Sequence, residues 1–250
     1  MKAVFITGGT TGLGMEMAKI YLARGWKVGV CGRERSKFEE HFAAHRDNVY
    51  FYAVDVSNRD DLKAAINDFS KSIGLDLLIA NAGISHHHKT KIPDFPHCYK
   101  MVHINLLGVM YAFEAALDIM IPRGKGQLVA ISSVAALNGL PGTSAYSATK
   151  SAVLKLCESL NVDLRQFNID VTAILPGFVD TPLTQKNSHP MPFKMTAPKA
   201  AHKMVRAIDK KKMVYGFPFI LYTFLRCLSI LPRPWYRAFM SIKAFNYSKE

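Results

Sequence analysis

Ala3-Val4-Phe5-Ile6-Thr7-Gly8-Gly9-Thr10-Thr11-Gly12-Leu13-Gly14 is the stretch that decides the fold. Its first four residues are apolar and partly β-branched, the pattern of a strand buried on both faces. A glycine-rich loop follows, and from Met15 to Arg24 the apolar residues recur with helical spacing until Gly25 stops the run. Glycines at a strand-to-helix turn let the chain turn sharply and let backbone N–H groups approach a phosphate. The helix N-terminus adds a positive dipole. The spacing is GxxxGxG rather than the common GxGxxG, but strand, loop and helix supply the context that dinucleotide binding requires. Without a ligand the same residues would be an ordinary Gly-rich turn.

Working outward, apolar runs alternate with helical patterns. Strands are expected at residues 27–31, 49–54, 75–80, 127–132 and 170–175, and a seventh at 213–216. Helices are expected at 38–45, 60–72, 101–120 (broken at Pro122), 147–167 and 197–212. Such alternation implies right-handed βαβ units. The predicted fold is therefore α/β: a doubly wound, Rossmann-type parallel sheet of about seven strands with helices on both faces. The 250 residues suit one such domain, with a core over 1–216 and a C-terminal helical extension over 217–250.

Polar residues recur where a doubly wound sheet puts its ligand, at the carboxyl ends of strands. They are Asp55-Val56, Asn81-Ala82-Gly83, Ser132-Ser133, and Pro176-Gly177 with Val179 and Thr181 beyond. Each is also plain turn chemistry; four in succession are harder to explain that way. Tyr146 and Lys150 are four apart in a helical segment and share a face. A free tyrosine has a pKa of about 10, and a nearby ammonium favours the phenolate. Ser133 has a hydroxyl suited to a substrate oxygen on which charge develops. On spacing alone a Tyr-x-x-x-Lys pair would be a surface helix with a snorkelling lysine.

Taken together, TGGTTGLG at 7–14, Asp55, NAG at 81–83, Asn105, ISS at 131–133, YSATK at 146–150 and PGFVDT at 176–181 resemble the short-chain dehydrogenase/reductase family over residues 1–190. The resemblance implies a nicotinamide cofactor and hydride transfer between a carbonyl and an alcohol. It implies that Tyr146 protonates the carbonyl oxygen during reduction, Ser133 binds that oxygen, Lys150 also grips the nicotinamide ribose, and Asn105 holds a proton-relaying water. Gly8, Thr10, Thr11, Gly12, Leu13 and Gly14 would cradle the pyrophosphate. Asp55 beside Val56 would contact adenine. Asn81, Ala82 and Gly83 would flank the cofactor, as would Pro176, Gly177 and Val179, and Thr181 would hold the carboxamide.

Cofactor choice has a physical signal of its own. An NAD site usually has an acid after the second strand to hold the ribose 2′-OH, whereas a 2′-phosphate needs a cation. Here Gly32 takes the acid's place and Arg33 follows it, so NADP(H) is favoured over NAD(H). The glycine loop lacks the basic residue that some NADP-dependent relatives carry. The expected activity is NADP(H)-dependent oxidoreduction of a hydrophobic carbonyl or alcohol substrate; the alternative is a non-catalytic dinucleotide-binding redox sensor or scaffold. A homodimer or homotetramer is expected by analogy, through helices 101–120 and 147–167.

Composition narrows the partners. The formal net charge is +13, and from Met191 onward twelve Lys/Arg face only Asp209 and Glu250. Ten of the 27 aromatic residues also lie from Met213 onward. In the tail, Thr223, Arg226 and Ser229 form a narrow polar stripe on an apolar helix that Pro232-Arg233-Pro234 ends. Trp235, Tyr236, Phe239 and Phe245 follow, interleaved with Arg237 and Lys243. Three readings compete for 217–245: packing on its own domain or a second subunit, an interfacial helix on an anionic membrane, or nucleic-acid binding. The last has no accompanying motif, and no nucleic acid is expected. Four scattered cysteines point to a reducing compartment. There is no signal-peptide pattern and no uncharged apolar run of spanning length. The expected location is cytoplasmic, with peripheral attachment at the inner face of a membrane as the variant. His86-His87-His88 reads as a polar loop at the pocket mouth without a metal, and Gln185 to Pro198 as a proline-bearing lid.

Overall fold

β1 (Ala3–Thr7) is buried at every position. Phe5 joins one apolar cluster, while Val4 and Ile6 join another on the opposite side of the sheet. The same holds along the strands that follow, which is why they read as unbroken apolar runs rather than alternating ones. The computed structural model describes residues 2–45, 47–86, 92–185 and 191–242.

In chain order β1 is followed by α1 (Gly12–Ala23), β2 (Lys27–Gly32), α2 (Arg35–Phe42), β3 (Val49–Ala53), α3 (Arg59–Ser72) and β4 (Leu77–Ala80). Next come α4 (Phe95–Met101), a π-helical turn (Val102–Leu107), α5 (Gly108–Arg123), β5 (Gly126–Ile131), α6 (Ser144–Asp163) and β6 (Ile169–Pro176). The chain continues through β7 (Val179–Asp180), β8 (Met195–Thr196), α7 (Ala197–Asp209), β9 (Val214–Phe217), α8 (Phe219–Ser229) and α9 (Arg233–Met240). Seven strands pair in parallel in the order β3-β2-β1-β4-β5-β6-β9, the expected Rossmann-type sheet. The chain winds outward from β1 to β3, then returns beside β1 as β4. The carboxyl ends of β1 and β4 therefore splay and open a crevice. One face is covered by α3, α5 and α6 through Leu62, Phe69, Ala112, Phe113, Val153 and Cys157. The other is covered by α1 and α7 through Met17, Tyr21, Met204, Val205 and Ile208.

The structure corrects several boundaries. The helix expected at 101–120 begins at Phe95, because Asp94 caps it and Pro96 sits in its first turn. It continues through Pro122 to Gly124, whose φ of +60° ends it. The whole run Phe95–Arg123 is long and apolar enough to cross a membrane by length and composition, although Glu114 and Asp118 interrupt it, so no uncharged run of that length occurs. Half of its most apolar window is buried, with Ala112, Ala115 and Ala116 wholly inside the core cluster. The helix expected at 147–167 starts earlier, at Ser144, and its last turn tightens to a 3₁₀ turn over Leu164–Phe167. The seventh strand includes Phe217. The pair β7–β8 was not expected. It joins Val179 to Met195 and Asp180 to Thr196, drawing together the two ends of the predicted lid. Residues 186–190 of that lid lie outside the described residues, as do Lys243 and Phe245 of the tail and His87 and His88.

The inner side of the tail packs on the domain. Leu225, Leu228 and Met240 are buried in the cluster that contains Phe5 and Leu128. Asn138 donates from Nδ2 to the Leu225 carbonyl at 2.7 Å, and the Tyr236 hydroxyl donates to the Gly139 carbonyl at 2.6 Å. The stripe Thr223–Arg226–Ser229 is not the sole outward face, since Phe219, Ile220 and Phe224 are exposed beside it.

Candidate active site

Nearly every residue expected at the site lines one cleft above the crevice. The loop after β1 supplies Gly8, Thr10, Thr11, Gly12 and Leu13, and the turn after β2 supplies Arg33. The end of β3 supplies Asp55 and Val56, and the end of β4 Asn81, Ala82 and Gly83. Ser133 follows β5, Tyr146 and Lys150 project from α6, and Pro176, Gly177, Val179 and Thr181 close the far wall. Gly14 and Asn105 stand behind this wall rather than in it.

The cradle fits an anion. Gly8 and Gly12 have φ of +61° and +56°, a region that costs other residues strain. Helix α1 opens with no side-chain cap and no acid in its first turn, leaving its first N–H groups to a ligand in the cleft. Gly14 works by closeness instead. A Cβ there would fall on the Gly8 carbonyl oxygen and within 2.5 Å of Asn81 Nδ2. Gly14→Ala is accordingly expected to cost about 1–3 kcal/mol of stability through overpacking, read as a fall in Tm with a weaker dinucleotide affinity. An unchanged Tm would show that helix α1 can slide away from the loop.

A clamp that the sequence did not disclose holds this loop. The buried Thr7 hydroxyl accepts from the backbone N of Asn81 (3.0 Å) and of Ala82 (3.1 Å). Asn81 returns the bond, donating from Nδ2 to the carbonyls of Thr7 and Gly8, each at 3.0 Å. Asn81 thus fixes the loop with its side chain and meets the cleft only at its edge. Asn105 acts similarly. It is fully buried in the π-helical turn, accepts from Ile84 N at 2.8 Å and donates to Ile84 O at 2.9 Å. A Cβ built on Gly83 would lie 3.3 Å from Asn105 Oδ1 and 3.5 Å from Lys150 Nζ, so the two polar groups converge beside this glycine.

Lys150 is 5% exposed, and its ammonium donates to the Ile131 carbonyl at 2.8 Å. Ser132, singled out only as a strand end, anchors the same helix by donating from Oγ to the Lys150 carbonyl at 2.8 Å. Burial brings the Lys150 ammonium down from 10.5 to about 8. Burial likewise pushes the Tyr146 phenol above its ordinary value, with the Ser133 hydrogen bond opposing it. The ammonium was expected to lower the phenol; instead Lys150 Nζ lies 5.7 Å from the ring centroid and desolvation raises it. Ser133 Oγ also accepts from Ala135 N at 3.1 Å, which fixes its direction.

At the adenosine end, burial works against the Asp55 carboxylate. Bonds from Ser57 N (2.9 Å) and Oγ (2.7 Å), with Arg33 and Lys100 nearby, hold it below its ordinary range all the same. A Cβ at Gly32 would lie 2.8 Å from Thr10 Oγ1, so a side chain there would have to displace the Thr10 hydroxyl. Glu34 and Lys37 also line the cleft, paired at 2.8 Å, so the carboxylate that follows Arg33 in the chain already has a cation of its own.

Beyond β4, His86 stacks on His97 with ring centroids 3.9 Å apart, and Asp94 Oδ2 lies 2.6 Å from His97 Nδ1. The ligand atoms of these three residues lie within 4.8 Å of one another. Capping of α4 by Asp94 accounts for the carboxylate's position without an ion.

Comparison with known proteins bears on this arrangement. The family model described as short chain dehydrogenase matches residues 2–192. An oxidoreductase of Myxococcus xanthus is 33% identical over 241 residues, covering 95% of each chain. The 2-(R)-hydroxypropyl-CoM dehydrogenase of Xanthobacter autotrophicus is 34% identical over 195 residues, covering 74% of this chain and 77% of its own. Among solved structures, ElxO with NADP bound superposes with a TM-score of 0.78 at 28% identity, covering 86% of this chain and 96% of its own. A dehydrogenase from Streptomyces avermitilis, 24% identical, shares the fold with a TM-score of 0.81 over 96% of this chain and 94% of its own.

Proposed function

The chain belongs to the short-chain dehydrogenase family, and we propose that within it the protein is an NADP(H)-dependent reductase of hydrophobic carbonyl compounds. It is an oxidoreductase acting on CH–OH and C=O groups with a nicotinamide dinucleotide. The observation that carries the finer reading is the meeting of Ser133, Tyr146 and Lys150 in one cleft with the glycine cradle. The dinucleotide, when bound, supplies the hydride. Tyr146 supplies the proton to the substrate oxygen, and Ser133 directs that oxygen by hydrogen bonding. Lys150 holds a positive charge at the ribose side of the cleft. Thr181 is 8% exposed, with its hydroxyl 3.3 Å from that of Thr184, which favours a role as a carboxamide-holding group. Ile84, Ile104 and Leu183 also line the cleft, which favours an apolar substrate. A cytoplasmic location suits this cofactor. Pairing of two copies would use the outer side of Phe95–Arg123, where Tyr99, Val102 and Met110 are exposed.

The test is NADPH oxidation across aldehydes and ketones of increasing chain length. Turnover that improves with chain length supports the reading, and binding of NADPH without turnover of any of them overturns it. Preference for NADP(H) rests on Arg33, beside a Glu34 tied to Lys37. Arg33→Ala is expected to lower kcat/KM for NADPH about tenfold, the loss of one charge-assisted bond at an exposed site, and to spare NADH. An unchanged NADPH/NADH ratio would remove Arg33 from the argument.

A further inference from the structure

Helix α8 has two apolar sides. Leu225 and Leu228 face the core, and Leu221 lies 3.0 Å from where a Cβ of Gly177 would sit, against the wall of the cleft. The other side carries Phe219, 77% exposed, with Ile220 and Phe224; beyond its end Ile230 is 80% and Trp235 of α9 70% exposed. Arg226, Arg233 and Arg237 are exposed among them, and no acidic residue occurs between Asp209 and Glu250. Lys210, Lys211 and Lys212 do not belong to this face. They precede β9, at the end of the sheet opposite the cleft, where Lys211 pairs with Asp170 at 2.7 Å.

We propose that the outer face of α8 and α9 docks on an anionic lipid bilayer, with Phe219, Ile220, Ile230 and Trp235 entering the headgroup boundary and the three arginines meeting lipid phosphates. Eleven residues make α8 too short to span a bilayer, so it would lie in the interface plane. The charge pattern selects this occupant over a second copy of the chain. A two-fold contact through this face would set arginine against arginine, with no carboxylate from residues 210–249 to answer it. An anionic surface with an apolar interior meets both halves of the pattern. The inner side of the same helix packs against Gly177, a residue of the cleft's wall, so a docked protein would hold its site close to the membrane.

The test is sedimentation of the full-length protein with vesicles of phosphatidylcholine alone and of phosphatidylcholine with about one third phosphatidylglycerol. Binding is expected only to the anionic vesicles and should weaken with salt. The variant Arg233→Glu with Arg237→Glu should reduce the partition coefficient by about fivefold or more per position. The variant Ile220→Asp with Trp235→Asp should reduce it by about tenfold or more. Both pairs of substitutions are at exposed positions, and an unchanged far-UV spectrum and Tm will confirm that each variant is folded. Binding indifferent to phosphatidylglycerol, or unmoved by either folded variant, overturns the proposal. So does a dimer in the wild type that the same substitutions dissolve, which would assign the face to a second copy. Turnover is no part of this readout, so its failure leaves the reductase reading standing.

Discussion

Tyr146→Phe is expected to lower kcat for carbonyl reduction by about 10³-fold, within the span of a lost general acid, while dinucleotide affinity stays within about threefold of wild type. The substitution removes one oxygen and keeps the ring that Lys150 approaches at 5.7 Å. It leaves Ser133 held by Ala135 N, so the substrate oxygen keeps one donor. The environment of the phenol also gives the reaction a direction with pH. Burial, the larger effect, raises the Tyr146 phenol, and the Ser133 bond offsets it only in part. At neutral pH the group is therefore protonated, the form that can donate to a carbonyl oxygen. Reduction should hold through neutral pH and fall in alkali, whereas alcohol oxidation, which needs the phenolate as base, should rise with pH. Steady-state rates in both directions against pH, with fluorescence titration of NADPH, will check this. A Phe variant that retains full turnover would remove Tyr146 from the chemistry.

The fold was legible because parallel strands buried on both faces leave uninterrupted apolar runs, and because the helix stop at Gly25 is a local signal. Tyr146 and Lys150 were legible for the same reason: one helical turn separates them. What escaped is what depends on distance along the chain. The Thr7–Asn81 clamp joins residues 74 apart, and a threonine before a glycine loop carries no mark of its partner. The π-helical turn that carries Asn105 to Ile84 has no composition of its own, being a local rewinding within a longer helical run. Pro232 and Pro234 read as the end of one helix, yet they open the next, since proline suits a first turn as well as it breaks a last one. The opposite movement of the Tyr146 and Lys150 pKa values came from burial, which spacing does not report.

Lys150 carries the second large expectation, because the feature that serves the site weakens the fold. Its ammonium is buried and shifted from 10.5 to about 8. Below pH 8 both folded and unfolded chains hold the proton, and the folded chain bears the full cost of a desolvated charge. Between about pH 8 and 10.5 the unfolded chain binds a proton that the folded one lacks, so stability rises with pH. Above that window both are neutral and the cost has gone. A shift of this size corresponds to about 3 kcal/mol. Losing the ammonium's bond to the Ile131 carbonyl gives back about 1.5–3 kcal/mol and offsets most of that gain. Lys150→Met is therefore expected to unfold at slightly higher urea than wild type at pH 7, by about 1 kcal/mol, with the gap closing toward pH 10. The same variant should lose about 10²–10³-fold in kcat, since the ammonium no longer supports Tyr146 or the ribose. Urea unfolding at pH 7 and 10, run beside NADPH oxidation, separates the two effects. A Met variant that is less stable at pH 7, or whose stability gap ignores pH, would show that the folded chain does not bear this cost. The ammonium would then be stabilised by its surroundings, as an ordinary structural lysine is.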